Sequence, residues 1–149
     1  RRRRTYRICA PSSLYTGLSM KDLTLNLPYP PSVNHYWIER AVRTKAGHHR
    51  VMKALGTKGK TFRADVERIV GEVEPFLGNE VSVWIDAYPP DRRKRDIDNI
   101  LKAILDALEH AGVYENDSQV KYLTAIKHDP VKGGAIEITI KEKGDASLG

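Results

Sequence analysis

Asp96 and Asp98 stand two residues apart, directly after four consecutive basic residues, Arg92, Arg93, Lys94 and Arg95, and directly before an apolar stripe. In extended chain, side chains two residues apart point the same way. The two carboxylates therefore converge if a helix begins at or after Asp98. A convergent carboxylate pair is a hard oxygen site, suited to Mg2+ held by carboxylates, waters and substrate phosphate oxygens. A metal held this way polarises a phosphodiester and activates water. Lys102 lies one helical turn beyond Asp98, where a cation can neutralise charge at the reacting phosphorus. The basic run is suited to phosphate.

Spacing alone also supports a plainer account. Asp98 as a helix N-cap accepting backbone N–H bonds, paired with Lys102 four residues on, needs no function. A third acid would favour the metal. Glu115 and Asp117 follow the helix, but the chain must fold back to bring Asp117 near Asp96. Whether Asp86, Asp106 or Glu115 contributes is left open by the sequence.

The elements that must position these groups read as follows. "LTLNL" (23–27) alternates as a strand, and "PYPPS" (28–32) ends it. "VNHYWIER" (33–40) is ambiguous, and residues 41–60, basic and carrying Gly47, Gly56 and Gly59, read as a long mobile loop. Phe62, Val66, Ile69 and Val70 predict a helix over 61–73, closed by Pro75 and Gly78. "EVSVWIDAY" (80–88) is a strand with Val81, Val83, Ile85 and Ala87 inward. A second helix over 98–111 carries Ile100, Leu101, Ile104, Leu105 and Leu108 on one face, with Gly112 as its stop. "VKYLTAIKH" (120–128) and "AIEITIKE" (135–142) predict a hairpin. The order β-α-β-α-β-β gives one α+β domain, a small mixed β-sheet packed by two main helices.

The chain has 149 residues, enough for one domain with a sizeable core. Its single cysteine, Cys9, excludes an internal disulfide framework and a Cys-rich zinc site. No apolar run reaches membrane-spanning length, and a cytoplasmic, nucleoid-associated protein of a bacterial or phage-infected cell is the expectation. The net charge of +6 includes five arginines and no acid in residues 1–19. That segment reads as a non-native or disordered extension, with the domain running from Met20 over residues 20–149. Local charge is more telling. Eight cations fall between Arg40 and Arg63, among them Arg43, Lys45, Arg50, Lys53, Lys58 and Lys60, with two histidines and no acid. Together with Arg92–Arg95 they make a phosphate-binding footprint. Tyr29, Tyr36 and Trp37 flank it, and are suited either to stacking on unpaired bases or to packing on the sheet.

Three blocks carry a family resemblance: "LPYPPSVNHYW", "PPDRRKRDIDNILKAILDALEHAGVYENDSQV" and "KGGAIEITI". Over nearly all of residues 22–142 the chain resembles the RusA-type Holliday junction resolvases, often carried by prophages. Position by position, the resemblance implies catalytic and metal-binding roles for Asp96, Asp98 and Asp117, with Lys102 as the functional lysine. Asn99 also matches the motif and joins the basic residues as a DNA contact. The family implies a homodimer that needs magnesium or manganese and cuts four-way DNA junctions by paired nicks. It also implies that the Asp117 loop reaches the other acids. Two rivals remain at this stage: a non-catalytic branched-DNA-binding protein, and a nuclease for flaps or forks.

Overall fold

The computed structural model describes residues 21–143; the expectation for residues 1–19 lies outside them. Six strands and three helices follow one another: β1 (Asp22–Leu27), α1 (Val33–Tyr36), β2 (Trp37–Arg43), β3 (His49–Leu55), α2 (Thr57–Val70), β4 (Val81–Tyr88), α3 (Asp98–His110), β5 (Val120–Lys127) and β6 (Ala135–Glu142). The α+β reading holds, with a mixed sheet of order β1-β6-β4-β5.

β4 and β6 are central because both alternate strictly. Val81, Val83, Ile85 and Ala87 of β4 and Ile136, Ile138 and Ile140 of β6 are all buried. β4 runs parallel to β5 and antiparallel to β6. A parallel pair needs a crossover, and α3 supplies it. This layout corrects the predicted β5–β6 hairpin. After β5 the chain passes the end of β4, where His128 N–H donates to Ala87 O (2.8 Å) and Val131 N–H to Pro89 O (2.9 Å). It turns at Gly133–Gly134 and returns as β6 on the opposite side of β4. The turn signal was real, but it joins strands on either side of a third.

The predicted loop at 41–60 is a second correction. β2 and β3 pair over seven registers, from Trp37 opposite Leu55 to Arg43 opposite His49, as a separate two-stranded ribbon. Gly47, at φ 84°, lets the chain reverse between them. Helix α2 also starts earlier and ends earlier than predicted. It ends at Val70 because Gly71 takes a positive φ of 56°.

The apolar face of α3 is Ile100, Ala103, Ile104, Ala107 and Leu108, all buried; Leu101 and Leu105 sit at its margin. Each large apolar side chain sealed here contributes about 1.5–3 kcal/mol. Across the helix pair, Asp106 accepts a hydrogen bond from Arg63 Nη2 (2.7 Å) and one from the Tyr36 hydroxyl. Tyr36 is fully buried, so packing and not base stacking is its role. Burial and the neighbouring Asp106 carboxylate push its hydroxyl pKa far up. Arg63 and Asp106 are thereby assigned to structure.

α1 and α2 approach so closely that a Cβ on Gly59 would lie 2.5 Å from Tyr36 O. Backbone cannot retreat as a side-chain tip can. Gly59→Ala is therefore expected to destabilise the fold by about 1–3 kcal/mol, as overpacking does. A lowered midpoint in urea unfolding with an unchanged slope checks this; unchanged stability would contradict the packing described.

Candidate active site and nucleic-acid interface

The basic run and its aspartates lie between β4 and α3. Pro89 and Pro90 stop β4, and Asp91 then captures Arg95. Arg95 donates to both Asp91 carboxylate oxygens, Nη1 to Oδ1 at 2.5 Å and Nη2 to Oδ2 at 2.9 Å. Those bonds, with one from the Arg93 backbone N–H, hold the Asp91 carboxyl well below the usual carboxylate range. Lys127 at the end of β5 donates to Arg95 O at 2.9 Å. Arg95 is thus a strut of this segment, whereas Arg92, Arg93 and Lys94 are exposed.

Asp98 is not the hydrogen-bonding cap that the sequence suggested. The cap position is Ile97, already in helical conformation (φ −66°, ψ −33°), with no side-chain cap bond. The premise of an extended Asp96–Asp98 pair fails for the same reason. Ile97 between them is helical and not extended, so the alternation of an extended chain does not apply to the pair. Asp96 lines a cleft together with Asn99, and Asp98 does not. Both carboxylates are exposed, and neither takes an ion pair among the described residues. Asp98 in the first turn is favourably placed against the helix dipole.

The chain does fold back after α3. Gly112 at φ 78° donates its N–H to Glu109 O, and Val113 N–H donates to Leu108 O. This is the left-handed stop that reverses a chain at a helix end. Tyr114, buried, donates its hydroxyl to Leu105 O at 2.8 Å. Asn116 and Gln119 form a reciprocal cap around a short 3-10 turn, Asp117–Gln119. Gln119 Nε2 also ties this turn to Phe76 O (2.7 Å) and Asn79 O (2.8 Å). Asp117 is thereby held beside α3, where Lys102 Nζ donates to its Oδ2 at 3.0 Å. That bond raises the Lys102 pKa, so the ammonium stays charged at neutral pH. Lys102 pairs with Asp117, not with Asp98 as expected from the i,i+4 spacing.

Among the described residues no three acids, histidines or cysteines gather closely enough to enclose a metal ion. Asp86 bonds His128 Nε2 at 2.6 Å on the outer sheet face, and Glu115 accepts from Gly78 N–H at 3.2 Å, so both are engaged elsewhere. In donor type Asp96 and Asp98 still fit magnesium, which takes one or two carboxylates and completes its shell with water and phosphate.

The cleft beside Asp96 has a volume of about 750 Å3. Lys58, Arg93 and Lys94 line it, with Tyr29 and His35 from the β1–α1 segment. Ser32 Oγ fixes His35 Nδ1 at 2.8 Å. Sequence reasoning did not single out His35; the polar "SVNH" after a proline-rich stop was its only signal. Lys60 is exposed on α2, and Arg43, Lys45, Arg50 and Lys53 are exposed on the β2–β3 ribbon, away from the cleft. Trp37 is half-buried with its ring edge-on to Tyr36.

The sequence has named relatives. The family model described as Endodeoxyribonuclease RusA matches residues 28–141. The crossover junction endodeoxyribonuclease RusA of Escherichia coli (strain K12) is 35% identical over 128 residues, 85% of this chain and 99% of that protein. The protein of the same name from Enterobacteria phage HK97 is 36% identical over 125 residues, 83% of this chain and 97% of its own length. That of Enterobacteria phage 82 is 35% identical over 128 residues. Matched over most of its length by both the family model and these relatives, the chain belongs to the endodeoxyribonuclease RusA family.

Proposed function

We propose that this protein is a metal-dependent endodeoxyribonuclease that resolves four-way DNA junctions. Support comes first from family membership, and then from one contact, the Lys102–Asp117 ion pair at 3.0 Å. That contact draws the loop after α3 back to the helix that begins with Asp98, one turn from Lys102. Asp117, distant along the chain, thereby returns to the helix whose first turn carries Asp98.

Asp96, Asp98 and Asp117 would hold the metal, Mg2+ with Mn2+ as a substitute, completed by water and a DNA phosphate. When bound, such an ion supplies polarisation of the scissile phosphodiester and a more acidic attacking water. Lys102 stays protonated beside Asp117 and offers its N–H donors to charge developing on the phosphoryl oxygens. Arg93, Lys94 and Lys58 hold the flanking backbone along the cleft, and Asn99 offers an amide donor beside Asp96. Arg92 extends the same cationic edge. Phosphate contacts of this kind position the strand without reading its sequence. DNA of the bacterial or phage-infected cytoplasm is the fitting substrate pool.

Paired nicks need two identical sites related by a twofold axis, so a homodimer is part of the reading. The outer face of β4 and β5 exposes Trp84, Tyr122 (56%) and Ile126 (49%), an apolar strip suited to a second copy. Ile126→Asp is expected to shift the mass in light scattering from dimer to monomer and to replace paired cuts with single nicks. A variant that stays dimeric would place the interface elsewhere.

Asp98→Asn is expected to keep junction affinity within about twofold and to lower the cleavage rate by at least about a hundredfold, roughly 2.7 kcal/mol in barrier. Gel-shift and single-turnover assays on one labelled junction separate the two effects. Undiminished cutting would remove Asp98 from the site.

A further inference from the structure

The β2–β3 ribbon has no counterpart in the catalytic reading. It stands apart from the main sheet, rooted where Gly56 N–H donates to Tyr36 O at 2.8 Å. Beyond that root every residue from Glu39 to Lys53 is exposed. At about 3.3 Å per residue, seven paired positions make an arm roughly 23 Å long. Two-stranded ribbons are marginal in water unless they pack on something, and past its base this one is exposed on both faces, with no other described element packed along it.

Its composition indicates what it packs on. Arg40, Arg43, Lys45, Arg50 and Lys53 are exposed, and none takes an ion pair among the described residues. Glu39 is the arm's one acid, directly opposite Lys53. Between the cations sit apolar side chains that a solvated ribbon does not need. On one face Val42 (41% exposed) stands opposite Arg50, and Met52 (51%) opposite Arg40. On the other, Val51 (65%) stands opposite Ala41, next to the Arg43–His49 pair.

Alternating cations and bare apolar groups match a surface that is both anionic and apolar. Duplex DNA presents phosphates on its outside, but its base faces are stacked away. Base faces become available where strands part. Apolar wedges inserted at such steps, with cations on the adjoining phosphates, are a known way to hold opened DNA. We infer that the β2–β3 arm enters the branch point of the DNA substrate, its cations on the converging phosphates and Val51, Met52 and Val42 against unpaired bases. The arm then carries the preference for branched over linear DNA, while the acids carry the cutting. This inference rests on the nuclease reading and adds to it the element that recognises the branch.

The test uses a synthetic four-way junction with 2-aminopurine at the branch point, in chelator so that nothing is cut. The unchanged protein is expected to raise the fluorescence as bases unstack. The double variant Val51→Ser/Met52→Ser, whose side chains are exposed and whose melting temperature should not move, is expected to lose most of that rise. Its preference for junction over linear duplex should fall about tenfold, the equivalent of roughly one stacked contact. Arg40→Ala/Arg50→Ala should instead weaken binding to both DNAs alike, with a shallower salt dependence. An unaltered fluorescence rise and preference in the serine variant would overturn the inference. So would a change of oligomeric state in that variant with fluorescence intact, which would make the arm a contact between copies. If the unchanged protein did not bind the junction in chelator and, in a parallel reaction with magnesium, did not cut it, the nuclease reading itself would fall, and the inference with it.

Discussion

The seating of α3 on the sheet constrains everything else in this domain. Five small or branched apolar side chains, from Ile100 to Leu108, are buried in one core with the inward residues of β4 and β6. Their opposite neighbours on the helix, Asp98 and Lys102, are consequently left exposed. The rotation of the helix is fixed again by Asp106, which is held by Tyr36 and Arg63 of the preceding helices. A helix free to roll by one residue would carry Asp98 and Lys102 away from the loop that returns to them.

That return is local chemistry added to this frame. Gly112 supplies the reversal, Tyr114 anchors the next residues under the helix, and Gln119 ties the turn to the loop before β4. Lys102 and Asp117 then meet. On the other flank, Asp91 takes Arg95 and leaves Arg92, Arg93 and Lys94 to solvent. The placement of opposite charges side by side is thus a division of labour. The Asp91–Arg95 pair sets the shape of the segment, while Asp96, Asp98, Arg92 and Lys94 stay exposed and take no ion pair among the described residues.

Much of this was legible before the structure. β4, β6 and α3 carry strong periodicity; the inward residues expected on β4 are all buried, while on α3 Ile100, Ile104 and Leu108 are buried as expected and Ala103 and Ala107 take the places expected of Leu101 and Leu105. What was not legible depended on partners distant in sequence. β5 reads as a hairpin mate for β6, but only the crossover through α3 explains its place beyond β4. The arm was hidden because its strands bury almost nothing, so glycines and cations outweighed a weak alternation. Asp98 reads as a cap until Ile97 is seen to be helical already. The Asp117 contact required three separate tertiary bonds, and no local pattern encodes those. The family resemblance implies that the Asp117 loop reaches the other acids; the structure shows its return as far as Lys102.

The proposed activity requires that the exposed acids cut branched DNA that the cations hold. The most direct measurement incubates the protein with a labelled four-way junction and a linear duplex of equal length, with magnesium and with chelator. Paired, symmetric nicks in the junction alone, and only with magnesium, are the predicted result. Tight junction binding without cutting in either condition would contradict it, leaving the aspartates as ornaments of a helix start and the protein as a binder of branched DNA.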